Sequence, residues 1–385
     1  MAQWRRAGPV AWRAAVVVAA FALGVAAARW LGGCDACHRR PASTGAPGTA
    51  SRAVVQQVVG TQEGERHLEV RVLSGEHAGK TVAATQIVRH RRGRGLLRRG
   101  ERCLVFVEQA GDRLSATVSA RERDGFLIGL AAAVAALLAV TAGRKGLATV
   151  GGVAWAVALL AGVLVPAVRG GARGAALCVP LAAAIAAPTL LAIGGWNRKS
   201  LAAIGGTLCG VVAGALLSLA FVHAMQLTGL EVEFGPYEHM DNRLWFAPGL
   251  ARVDFGSLLV GGMLLAGLGA VMDVSMAVAS TVAEVHRAAP DARGWALFGP
   301  GLAAGRDVLG VMVFTLALVF VGGKLMFFVS IGQTGWADRW LLLANYEELA
   351  AELARVAAAG LGMAACVPAA AGAAALLYRR RREAA

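Results

Sequence analysis

Three ionisable residues stand where an apolar chain ordinarily carries none. Asp273 interrupts Phe255–Val282, a run of 28 residues without a basic side chain, and Arg306-Asp307 opens the next apolar stretch. A charged side chain at mid-bilayer costs roughly 2.5–3.5 kcal/mol or more, so such groups are rare and usually face a cavity or a partner. Two carboxylates and a guanidinium can take up and release a proton or a cation. Helical spacing from Asp273 puts Ala277, Ser280 and Glu284 on one face. Gly262, Ala266 and Gly269 continue that face with small residues, a pattern that lets a second helix approach closely. Asp307 suits the first turn of the next helix, where the macrodipole favours negative charge. Arg306 is placed to pair with Asp273 or Glu284, or to anchor the chain at the cytoplasmic face. Gly310 and Thr315 follow on the same helix. The candidate substrate- or ion-binding set is therefore Asp273, Ser280, Glu284, Arg306, Asp307, Gly310 and Thr315. A plain structural alternative stands beside it, in which these are interfacial residues and ties between helices. Counted from Phe255, Asp273 is about 27 Å along the axis, near the inner edge of a core about 30 Å thick. Lys324 lies toward the outer end of its helix, where it can snorkel, and it receives no role.

The elements that must position these groups are membrane helices. The chain is 57% hydrophobic and 16% charged, with mean hydropathy +0.59; soluble domains carry about 25% charge. Apolar runs at Val10–Ala28, Phe126–Ala142, Leu147–Val168, Ala175–Ile193, Leu201–Val222, Phe255–Val282, Val308–Ile331 and Val356–Tyr378 predict eight spans. The sixth exceeds one straight crossing, and a break or tilt there would favour a cavity. The net charge of +14 is a topology signal, because the arginines flank the apolar runs. Placing both termini in the cytoplasm puts Arg5, Arg6, Arg13, Arg144, Lys145, Arg198, Lys199, Arg287, Arg293, Arg306 and Arg379–Arg382 on that side. The outer loops at Glu231–Asp241 and Glu347–Glu352 are acidic, which fits a multi-pass protein of the cell membrane. Residues 1–31 read as the N-terminal anchor, although Arg5-Arg6 and Val25–Ala28 also resemble a cleavable signal sequence. Residues 125–378 form the seven-helix bundle, and 379–385 a basic cytoplasmic tail.

Residues 32–124 make an extracytoplasmic segment: a linker, Pro41–Ser51, and then a small β-rich domain. Ala53–Val59, His67–Leu73, Lys80–Val88, Arg102–Glu108 and Arg113–Ser119 have strand character, and His67–Val72 alternates with period two. Five short strands predict a small barrel, OB-like or SH3-like. The arginine-rich stretch Arg89–Arg102 has no interleaved aromatic residue for base stacking, so it reads as a solvated loop near anionic lipid and excludes nucleic acid. Cys34-Asp-Ala-Cys37-His38 matches the attachment pattern of c-type haem. No helical cytochrome body surrounds it, and haem is disfavoured against a local disulfide or free thiols. No cofactor is expected.

The motifs around the carboxylates resemble the YibE/F family of bacterial multipass membrane proteins. The resemblance rests on Gly269–Ser280 and Gly305–Met312, joined by Arg71–Lys80, Gly194–Lys199 and Gly205–Thr207, and runs from about Val54 to Gly323. Where the family usually has Asn-Thr-Leu, this chain has Phe314-Thr315-Leu316 and lacks the amide. The resemblance implies an architecture of one helix, a β-rich outer domain and a helical bundle. A transporter or efflux role is the customary supposition for the family. The chain holds no HExxH, no phosphate-binding loop and no nucleophile elbow, so an enzyme is not expected. Expected partners are the lipid bilayer and a small solute or ion, with a homo-oligomer left open. Two readings remain: a secondary transporter using inner-face carboxylates, and a non-transporting scaffold whose outer β-domain binds a partner.

Overall fold

The structure is a computed structural model that describes residues 50–62, 65–87, 96–110, 113–229, 253–333, 341 and 345–379. The expected first span, the Cys34–His38 motif and the first half of the arginine-rich stretch Arg89–Arg102 lie outside these residues. The chain divides into two compact units, Met1–Thr141 and Ala142–Ala385.

The first unit contains a closed five-stranded barrel. Its strands are β1 (Ala50–Gln62), β2 (Glu65–Val72), β3 (Thr81–Ile87), β4 (Arg102–Ala110) and β5 (Arg113–Arg121), in the order β1-β2-β3-β5-β4. The expected strands agree with these to within a few residues. The parallel β3–β5 pair and the return of β4 to β1 give OB-type connectivity. Alternation explains the closure: Leu68, Val70 and Val72 point inward with Ala53, Val55, Val82, Ala84, Cys103 and Val105. Two bulges bend the 13-residue β1, so that it pairs with β4 at one end and with β2 along most of its length. Arg52 ties the barrel to the start of the following helix, α1 (Asp124–Ala142), through Asp124 at 2.6 Å, and also pairs with Glu122 of the connecting turn at 3.6 Å. Cys103 is fully buried, and its thiol is pushed up to about 11, first by burial and then by the Glu122 carboxylate.

The second unit is a helical bundle. It comprises α2 (Arg144–Arg169), α3 (Gly174–Gly194), α4 (Arg198–Ala224), α5 (Phe255–Ala288), α6 (Trp295–Gly323), the short α7 (Leu325–Gln333) and α8 (Glu347–Arg379). With α1, seven helices among the described residues are long and apolar enough to cross a membrane. In α2 a π turn at Leu160–Leu164 re-registers the hydrogen-bond ladder just before Pro166, which lacks an N–H. Asn197 caps α4 by accepting from the Ser200 N–H at 2.9 Å, and Asp254 caps α5 by accepting from Ser257 at 3.0 Å. Helix α5 is unbroken over 34 residues, about 51 Å at ~1.5 Å per residue.

The centre of the bundle is the α4–α5–α8 trio. A Cβ on Gly206 would meet the Ala370 Cβ at 2.5 Å, and one on Gly210 would meet the Gly362 carbonyl at 2.8 Å. These glycines set the close approach of α4 to α8. On α5, Gly267 plays the same part against Ala359 at 2.8 Å. By contrast, Gly262 and Gly269, expected from spacing to receive a second helix, have open space beside them.

Candidate functional site

Asp273 lies at the middle of α5, and its side chain is on the exposed face with Gly262, Ala266 and Gly269. The opposite face of α5 carries the core residues Val271, Val274 and Val278, which pack against Met363, Cys366 and Val367 of α8. Ser280 is half-buried on the same helix. Glu284 is exposed and bonds Arg287, one turn on, through both carboxylate oxygens at 2.7 and 2.8 Å. Arg306, Asp307, Gly310 and Thr315 are all exposed positions of α6, and Thr315 Oγ1 donates to the Val311 carbonyl at 2.8 Å.

The structure therefore places the seven candidate residues on two neighbouring helices but does not gather them into one pocket. Among the described residues no ion pair joins Arg306 to Asp273 or Glu284. Asp307 is not at a helix start. Helix α6 begins at Trp295, twelve residues earlier, because the apolar run Trp295–Ala304 continues through the charged pair rather than stopping at it. Depth follows from packing. Gly305 of α6 rests on Val278 of α5 and Val367 of α8, so Arg306 and Asp307 are near the level of Val278, about five residues from Asp273. From Asp273 to Glu284 is eleven residues, about 16 Å of helix.

Among the described residues the α4–α5–α8 interior is tightly closed. The cavity between α4, α5 and α8 measures about 10 Å³ and is lined by Gly210, Ser218, Met263, Gly267 and Val271 among others. That is room for about one water. Two buried hydroxyls, Thr207 and Ser218, find no hydrogen-bond partner among the described residues.

Two larger spaces open at the end of the bundle that carries Phe255. A cleft of about 850 Å³ runs between α3, α4 and α5, with Arg173, His223, Gln226 and Asp254 among polar residues and Val179, Val212 and Leu216 among apolar ones. The second is a cavity of about 120 Å³ between α6, α7 and α8. Lys324, read from sequence as a snorkelling end residue, bonds Glu348 there at 2.5 Å. Glu348 and Glu352 are buried in the first turns of α8, not in an acidic loop. Glu352 bonds Arg355 at 2.6 Å, and the Arg355 guanidinium stands 5.6 Å from the Phe320 ring centre. The signal for these residues was present as spacing: Glu348, Glu352 and Arg355 recur at helical intervals. It was lost by starting the last helix at Val356, after the charges.

Among known families, the chain matches the model of the YibE/F-like proteins over residues 130–380. The match covers the bundle and both carboxylate motifs, begins within α1 and leaves out the barrel. This chain belongs to the YibE/F family and is an integral membrane protein. No curated protein and no solved structure matches it.

Proposed function

We propose that the protein is a permease of the cell membrane that moves a small solute or ion without transforming it, with both termini in the cytoplasm. Asp273 is the carboxylate at which the cargo or its coupling ion is held. The observation that carries this reading is the placement of Asp273 at mid-helix on an exposed face of small residues. A carboxylate is costly to leave against lipid, and the space beside Gly262 and Gly269 on the same face of α5 is open. The route then follows that open face, since the α4–α5–α8 core is closed. Ser280 lies further along the same helix, and Arg306, Asp307, Gly310 and Thr315 supply polarity on the neighbouring one.

The second reading is a membrane scaffold whose β-barrel binds a partner. One observation favours it: Arg306 is not paired with Asp273 or Glu284 among the described residues, so no charge site is assembled. Gly269→Trp in proteoliposomes separates the two. The indole enters open space and should leave the fold intact while stopping flux. Flux that continues unchanged in Gly269→Trp removes the open face of α5 from the route. Absence of flux in the wild type across protons and common cations favours the scaffold.

A further inference from the structure

The cleft between α3, α4 and α5, about 850 Å³, shares no residue with the seven candidates, and what it binds does not depend on the permease reading. Two helix starts meet at its mouth. Gly174 of α3 lies against the α5 backbone, where a Cβ would come 3.1 Å from the Leu258 Cα, and the Ala175 N–H donates to Ser257 Oγ at 2.8 Å. That contact brings Arg173, just before α3, and Asp254, just before α5, into the lining of one cleft. Both are exposed, and among the described residues neither makes an ion pair. Asp254 spends one oxygen, Oδ1, on the Ser257 N–H at 3.0 Å. His223 adds an imidazole from the last turn of α4. The neighbouring carboxylate of Glu347 is already met: its Oε1 accepts from the Thr228 N–H and Oγ1 at 2.6 and 2.8 Å and from the Gly229 N–H at 3.1 Å. The mouth therefore offers one cation and one anion that do not neutralise each other.

Below the charges the cleft is apolar and open at the side. Val212, Leu216 and Leu219 of α4 line it and are exposed, with Val179 of α3 and Val260 of α5 as further walls. From Val222 to Val212 is ten residues, about 15 Å of helix. That is half of a hydrocarbon core about 30 Å thick, the depth of one leaflet. A soluble zwitterion would use the two charges and leave this wall bare, whereas an acyl chain covers it. We propose that the cleft holds a zwitterionic phospholipid of the phosphatidylethanolamine type. Its phosphate pairs with Arg173, its primary ammonium with Asp254, and one acyl chain lies along Leu219, Leu216 and Val212. Charge selects the head: a lipid with a phosphate alone leaves Asp254 unmet beside a second negative group.

Native mass spectrometry of the full chain, delipidated in detergent, tests this by titration with dioleoyl phosphatidylethanolamine. The phosphatidylcholine and phosphatidylglycerol of the same chains are titrated beside it. Saturable binding of phosphatidylethanolamine is expected, tighter than either by about threefold or more, the scale of an exposed ion pair. The choline head keeps the positive charge but has no N–H to donate, and the glycerol head has no cation. Asp254→Asn keeps a capping oxygen for Ser257 and removes the charge, so the preference over phosphatidylcholine should vanish. Ala176→Trp, at an exposed lining position of α3, fills the cleft and should abolish saturable binding of all three lipids. Equal affinity for the three lipids overturns the proposal, and so does tighter binding of phosphatidylglycerol, which marks an anionic-lipid surface instead. Undiminished preference in Asp254→Asn, or undiminished binding in Ala176→Trp, also overturns it. Displacement of the lipid by an equal concentration of O-phosphoethanolamine does the same, and assigns the mouth to a soluble zwitterion.

Discussion

Two carboxylates in one bundle have opposite surroundings. Asp273 sits mid-helix on α5 with open space along its face, and among the described residues no ion pair reaches it. Glu348 sits at the start of α8, buried, with an ammonium group at 2.5 Å and a second ion pair one turn away. The first is cheap to change structurally and expensive to leave facing lipid without a purpose. The second is woven into the packing of α6 against α8, where its removal disturbs a buried charge balance. An ionisable residue with no structural partner is the better functional candidate, and one with partners must first be discounted as architecture.

The comparison is broken or sharpened first by activity. Asp273→Asn keeps size and removes charge, and transport should fall by at least about tenfold while Glu348→Gln transports at a rate near wild type. Stability should run the other way. Glu348→Ala strips the carboxylate from a largely buried pair and is expected to cost about 2–3 kcal/mol, after discounting for the part-exposed Lys324; thermal unfolding in detergent measures it. Asp273→Asn, at an exposed position, should shift the same transition by less than about 0.5 kcal/mol. Glu284→Gln, which breaks an exposed one-turn pair with Arg287, should change it by no more than about 0.5 kcal/mol.

The barrel supplies a control apart from the helices. Burial raises the Cys103 thiol from 9.0 to about 11, so folding favours its protonated form. That contribution is complete below the unfolded value near 9 and is lost as pH rises through about 11. Barrel stability should therefore decline across that window, and a Cys103→Ser chain should show less decline. Thiol labelling of Cys103 at pH 8 should be slow until denaturant is added.

Much of this architecture was legible in the chain. Length of apolar run located α1 to α5, and period-two alternation in His67–Val72 located β2 and, by extension, the barrel. The interior of α6 and the start of α8 were not legible, for one physical reason. Charges inside an apolar stretch look like boundaries, yet Arg306-Asp307 stands twelve residues into α6, and Glu348 to Arg355 form the opening turns of α8. Helical hydrogen bonds do not stop at a charged side chain; burial against a neighbour decides where the helix extends. The glycines teach a similar point. Spacing named Gly262 and Gly269 as an approach face, but Gly267, a fraction of a turn away, takes the close contact with Ala359. Period alone identifies faces, and which face meets a neighbour is settled by the whole bundle.

The most direct test of the account is proton and cation flux in proteoliposomes, wild type beside Asp273→Asn, with matched folded fractions. Flux in the wild type that falls about tenfold or more in Asp273→Asn is the predicted result. Equal flux in the two proteins would contradict it, and would leave Asp273 an interfacial residue without a part in transport.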